Sequence, residues 1–188
     1  MTEQQGDVLI EAEYQGRKCF IINRDYWHLT HDSGMLPHNV FLSKGFSFSI
    51  SAVNLMDNLQ GAVTPYGSGA LFADKEQAWE AIRKAEFPDL PTRINALFLF
   101  ESREVAQRAT AEWFDKENRV LVRAQLANGS RTFRADARWL DGATTDNAEH
   151  RARRYWSGEM TPDPVPEIIV CGLVYFPDWE EWAKLMTP

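Results

Sequence analysis

The sequence predicts an α+β domain built on a mixed or antiparallel sheet. Three observations carry that class. Short stretches alternate apolar and polar residues with period two, apolar stripes at helical spacing occur between them, and the order runs strands, interleaved helices, then strands again. The composition agrees: 188 residues, 44% hydrophobic, 12% aromatic and 25% charged. Such a chain is globular, which excludes disordered, collagen-like and low-complexity classes. Its length suits one core, so a single domain over 1–188 is expected.

The elements follow in order. Val8–Tyr14 and Arg17–Asn23 flank Gln15-Gly16 and read as a hairpin over 8–23, rich in β-branched and aromatic residues. Tyr26–Thr30 is a further short strand. Gly34, Pro37 and Gly45 mark the next stretch as a loop, after which Phe46-Ser-Phe-Ser-Ile50 alternates as a strand. Gly61, Pro65, Gly67 and Gly69 punctuate a long connection. Asp74, with Gln77 three residues on, resembles a capping box; Ala78, Trp79, Ile82 and Ala85 give the following helix one apolar stripe. Pro88 and Pro91 end it. Ile94–Phe100 is too short for a helix and reads as a buried strand. Ser102 caps a second helix in which Val105, Ala109 and Trp113 recur every four residues.

Val120, Val122, Ala124 and Leu126 alternate before Asn128-Gly129, and Phe133, Ala135, Ala137 and Trp139 after it. Because Asn-Gly accepts the positive φ angles of a tight turn, the pattern predicts a β-hairpin. Arg123, Arg134 and Arg138 then lie on the opposite face from the apolar set. Thr144–Trp156 has helical character. Ile168–Phe176 is apolar on both parities, as a strand covered on both faces would be. Asp178 and Glu181 cap a short final helix, about 179–186, that turns Trp179, Trp182 and Met186 inward.

Charge and cysteine usage narrow the setting. With 20 basic and 27 acidic residues the net charge is −7, which argues against sequence-independent grip on duplex DNA. The stretch from Arg119 to Arg154 nevertheless holds eight arginines against four acids, a local +4 that leaves −11 elsewhere. It is either a solvated surface or a face for phosphate-bearing ligands. Cys19 and Cys171 sit in apolar runs without zinc spacing, as buried reduced thiols of a cytoplasmic protein would. Met1–Asp7 is polar and unlike a secretory leader, and the longest apolar run is about half of a membrane span. No membrane partner is expected.

The common catalytic motifs are missing: there is no P-loop, GxSxG or HExxH, and Gly67-Ser68-Gly69-Ala70 is no dinucleotide fingerprint. His28 and His31 lack the further ligands a zinc site needs. Nothing marks Ser33 or Ser43 as a strained nucleophile. Two polar groups do stand on apolar strands: His28 in Trp27-His28-Leu29-Thr30, and Glu167 opening Ile168–Gly172. A carboxylate there is either a solvated strand end or a group projected into a cleft by a rigid support. Between them, Arg151-Ala-Arg-Arg154-Tyr155-Trp156 sets cations beside aromatics, a docked helix end or a nucleotide-binding surface.

Four blocks carry a resemblance: Trp27-His28-Leu-Thr30; Glu86-Phe-Pro88-Asp-Leu-Pro91-Thr-Arg93-Ile-Asn-Ala-Leu-Phe98-Leu-Phe-Glu-Ser102; Arg154-Tyr155-Trp156-Ser-Gly158; and Glu167-Ile-Ile-Val-Cys-Gly172. In this order they resemble a group of bacterial proteins related to the ADP-ribosyltransferase-like fold of the His-Tyr-Glu type. The similarity spans about 26–175. It implies a split, mostly antiparallel sheet with flanking helices, and NAD as co-substrate. By resemblance, His28 bonds a ribose hydroxyl with Thr30 beside it. Phe98 supports the nicotinamide, and Glu167 holds the nicotinamide ribose. Arginines of the Arg151–Arg154 cluster would clamp the pyrophosphate or the target, Arg154 and Tyr155 being the cation and ring of the nucleotide-binding reading. Phe98 departs from the pattern by lacking a hydroxyl, and Phe72 in Gly69-Ala-Leu-Phe72 is a rival for its place. Gly61–Gly69 becomes a candidate NAD-covering or target-recognition loop. The implied activity is transfer of ADP-ribose from NAD to a target protein or nucleic acid, as in toxin and defence enzymes, with an antitoxin or immunity protein as a further partner. The alternative is an inactive nucleotide- or partner-binding module on the same fold.

Overall fold

A computed structural model describes residues 8–31, 35–57, 73–114 and 118–182. In chain order its elements are β1 (Leu9–Tyr14), β2 (Arg17–Ile22), β3 (Tyr26–His31), α1 (Met35–Leu42), β4 (Phe46–Phe48), α2 (Ile50–Asp57), α3 (Ala73–Glu86), β5 (Leu97–Phe100), α4 (Arg103–Trp113), β6 (Arg119–Leu126), β7 (Arg131–Asp136), a 3-10 turn (Ala137–Leu140), α5 (Ala148–Trp156), β8 (Pro166–Cys171), β9 (Leu173–Tyr175) and α6 (Trp179–Trp182). The fold class is α+β with mostly antiparallel strands. Ser33, the Gly61–Gly69 loop, Phe72 and Met186 lie outside the described residues.

The chain forms two compact units that it enters more than once: one drawn from within Met1–Ser47, Ser102–Ser130 and Leu173–Pro188, the other from Phe48–Glu101 and Arg131–Gly172. In the first, β1 and β2 make the expected hairpin, its turn formed by Gln15 and Gly16 at φ 50° and 74°. A separate ladder runs β4-β9-β6-β3. Its core packs Ile21, Leu29, Val40, Val122, Val174, Phe176 and Trp182. In the second unit, β8 lies between β5 and β7, antiparallel to both, and all six of its residues are buried. Helices α3 and α5 supply Trp79, Ile82, Ala152, Tyr155 and Trp156, which cluster with Ala96, Ala135 and Ile169.

The structure corrects several expectations. Strands β6 and β7 do not pair across Asn128-Gly129: β6 pairs with β3 and β9, and β7 with β8. The turn itself forms, with Gly129 at φ 89° and Ser130 N–H donating to the Ala127 carbonyl. Its flanks are claimed elsewhere, because Ala127 N–H goes to Leu173 and Asn128 N–H to Phe20. Alternation fixes which face a side chain takes; it does not name the partner strand. The second of these strands also ends early, at Asp136, where the carboxylate caps the 3-10 turn by accepting from Arg138 N–H. The stretch read as a loop contains α1, and the strand read over Phe46–Ile50 forms as Phe46–Phe48, with α2 starting at Ile50. Pro37 misled, since proline is at home in a first helical turn. Gly172 divides the late apolar run into β8 and β9. Cys171 is buried as expected, but Cys19 is only partly so, and both are free thiols.

Candidate functional site

Glu167 is the second residue of β8 and pairs with Phe100 on β5 and Ala135 on β7. Partners directly opposite in an antiparallel ladder share a face. Glu167 and Ile169 therefore share the side of β8 that meets Ala135, Tyr155 and Trp156. Only 6% of Glu167 is exposed. An isolated carboxylate so placed is costly, and the chain answers with partners. Arg93 Nη1 donates to Glu167 Oε1 at 2.5 Å, and the Tyr155 hydroxyl donates to the same oxygen at 2.5 Å. Arg93 Nη1 also donates to the Tyr155 oxygen. Oε2 of Glu167 accepts no hydrogen bond from the described residues.

Arg93 is itself 3% exposed. Its Nε and Nη2 edge grips Glu76, at 3.2 Å from Nε to Oε2 and 3.3 Å from Nη2 to Oε1. The rings of Phe98 and Tyr155 lie 4.8 and 5.0 Å from its guanidinium carbon, within cation–π range. Burial above all, reinforced by Glu167 and opposed by Arg93, holds the Tyr155 phenol well above its ordinary pKa, so it remains a donor. Beside Glu76, burial lowers the Lys75 ammonium pKa, with Arg93 adding to the effect and Glu76 opposing it. Lys75 Nζ reaches the Leu140 carbonyl at 3.4 Å. A second carboxylate on the same helix, Glu80, is held by Arg83 at 2.7 and 2.9 Å and by the Thr92 hydroxyl at 2.8 Å. Residues 76, 79, 80 and 83 recur at helical spacing, so the buried face of α3 mixes Trp79 with two paired acids.

The structure thus brings Glu167, Tyr155 and Phe98 together around Arg93. Tyr155 is a correction. Being completely buried, it offers no stacking surface to a base, and its hydroxyl positions Glu167 instead. Arg154 is exposed and pairs with Glu159. His28 and Thr30 belong to the first unit and share one face of β3. The half-buried His28 ring stands edge-on to Phe176 at 6.2 Å, and Thr30 is buried, with its hydroxyl donating to the His31 carbonyl. Sequence reading passed over Arg93 and Glu76. The available signal was a lone arginine between Pro91 and an apolar strand, where a solvated cation would be out of place.

A family profile described as "Protein of unknown function (DUF2441)" matches residues 24–178. The chain belongs to the DUF2441 family. The matched span holds His28, Thr30, Arg93, Phe98, Arg154, Tyr155 and Glu167, whereas the β1–β2 hairpin precedes it. No curated protein matches this DUF2441 chain. Among the described residues there is no group of three or more His, Cys, Asp or Glu placed to hold a metal ion. Nor is any described helix long and apolar enough to cross a membrane.

Proposed function

We propose that the chain is an NAD-dependent ADP-ribosyltransferase of the ADP-ribosyltransferase-like fold. One observation carries the reading: Glu167 is a carboxylate fixed at Oε1 from two sides, on a strand buried along its length. The residues suit NAD in part. Phe98 pairs with Ile169, two positions from the Glu167 pairing, and is the aromatic that the resemblance assigns to nicotinamide. In the first unit, His28 is the hydrogen-bonding side chain that the resemblance assigns to a ribose hydroxyl, with Thr30 on the same strand face.

The chemistry follows from charge. The bond between nicotinamide and ribose C1 breaks with its electron pair leaving on nicotinamide, and the acceptor then bonds C1 and gives up its proton. Positive charge develops on the sugar, mainly in the transition state. A preorganised carboxylate stabilises that charge without reorganising, which raises turnover rather than affinity. The acceptor is a macromolecule, as in toxin and defence enzymes, and local compensation of the arginines weighs toward protein over nucleic acid. Arg123 pairs with Asp25 and Asp178, Arg134 with Glu101, and Arg153 with Glu86 and Glu149.

A second reading keeps the fold without the chemistry, as a nucleotide- or partner-binding module. The feature that favours it is Phe98, which lacks the hydroxyl that the resemblance expects at its place. Incubation with NAD labelled in the adenosine, in the presence of a whole-cell extract, separates them. Label is expected to follow protein in an acid-insoluble fraction, to resist nuclease, and to vanish with Glu167→Gln. Intact NAD that binds without turnover supports the module; neither binding nor labelling removes both readings.

A further inference from the structure

We propose that Arg93 and Tyr155 form a two-sided clamp that grips Glu167 Oε1 and aims the carboxylate, with Glu76 as the anchor that orients Arg93. This inference rests on the transferase reading for its purpose, though not for its test. Donor accounting supports it. Nη1 donates to both Tyr155 and Glu167, while Nε and Nη2 hold Glu76 from the other edge. Only a planar fork reaches both sides; a lysine ammonium is a point charge and meets one. The Phe98 and Tyr155 rings limit the guanidinium's freedom to swing.

A purely structural role explains the cluster less well. Replacing buried ion pairs by packed apolar residues is often neutral or stabilising, so two acids, a guanidinium and a phenol in one core are not needed for stability. The geometry instead loads both bonds on one oxygen and leaves the other oxygen of Glu167 without one from the described residues. The groups around this carboxylate are Glu76 and Lys75 from α3, Arg93 from the turn before β5, and Tyr155 from α5; Asp141 stands near Lys75. Two acids meet one guanidinium, so removing Arg93 takes one of the two donors from Glu167 Oε1 and lets the carboxylate turn.

Difference infrared spectroscopy of the carboxylate stretching bands, assigned by their loss in Glu167→Gln, reads this directly. In Arg93→Met the assigned bands are expected to shift and broaden, because Oε1 loses a charge-assisted hydrogen bond. Tyr155→Phe and Arg93→Lys keep the packing better and should shift them by less, in that order of safety should the methionine variant not fold. With NAD, all three should lower kcat more than they raise KM. Unmoved bands in folded Tyr155→Phe and Arg93→Lys overturn the clamp. Shifted bands in a protein whose wild type leaves NAD intact keep the clamp and reject the transferase reading.

Discussion

Asp136 shows how much one side chain organises without touching the candidate site. It is completely buried and accepts from Arg138 N–H, Val165 N–H, and both the N–H and hydroxyl of Thr161. Burial alone would raise its pKa, but those hydrogen bonds outweigh burial and hold it below the ordinary carboxylate value. A group depressed on folding contributes stability above its unfolded pKa and loses it as pH falls through the folded one. Asp136→Asn should therefore cost about 1–3 kcal/mol in urea unfolding at neutral pH. The gap to wild type should narrow in acid, below about pH 4. A gap independent of pH would show that the carboxylate charge is irrelevant there. At this scale the sequence reveals candidates better than partners. Glu167 stood out because an acid opening an apolar strand is unusual. Its clamp was hidden because Arg93 and Tyr155 lie 74 and 12 residues away from it. Nothing local couples such positions.

Pairing within the first hairpin was readable, and pairing between distant strands was not. The first hairpin and the Ser102 cap of α4 form as expected, the cap accepting from Val105 N–H. The Asn128-Gly129 turn forms without its hairpin because β6 and β7 each find other strands. Two glycines give a test of what such turns require. Gly45 sits at φ 95°, where a Cβ would come within 2.5 Å of Trp179 Cδ1 and 2.6 Å of Tyr175 Cε2. Gly129 sits at φ 89° with nothing within 4 Å. Gly129→Ala should thus cost only its backbone strain, about 1 kcal/mol. Gly45→Ala adds a clash with two rings held by the Phe46–Tyr175 and Phe41–Trp179 contacts, and should cost roughly 2–4 kcal/mol. Thermal denaturation of the two variants compares them; equal losses would show that the rings move aside.

Across the whole molecule, charge is arranged in local pairs rather than in one field. The stretch from Arg119 to Arg154 suggested a phosphate-binding face, yet its cations are engaged one by one. Arg119 lies over Phe114, and Arg131 donates to the Asp89 carbonyl. Arg138 pairs with Asp141 and Asp163, Arg151 binds the carbonyls of Arg138, Trp139 and Asp141, and Arg154 pairs with Glu159. Exposed pairs of this kind are worth little individually and are screened by salt. Cations engaged in this way are poorly placed to bind phosphate, so reversing Arg153 and Arg154 to glutamate should leave NAD turnover within about twofold, while a larger loss would place phosphate there. The reading of the molecule then rests on Glu167, the carboxylate that the second unit is built to hold. The decisive measurement is nicotinamide release from NAD by purified wild type beside Glu167→Gln, with circular dichroism confirming that both are folded. Release by wild type and a fall on the order of 10²–10³ in the variant is the expected result. Equal release by the two proteins, or none from either, contradicts a catalytic role for Glu167.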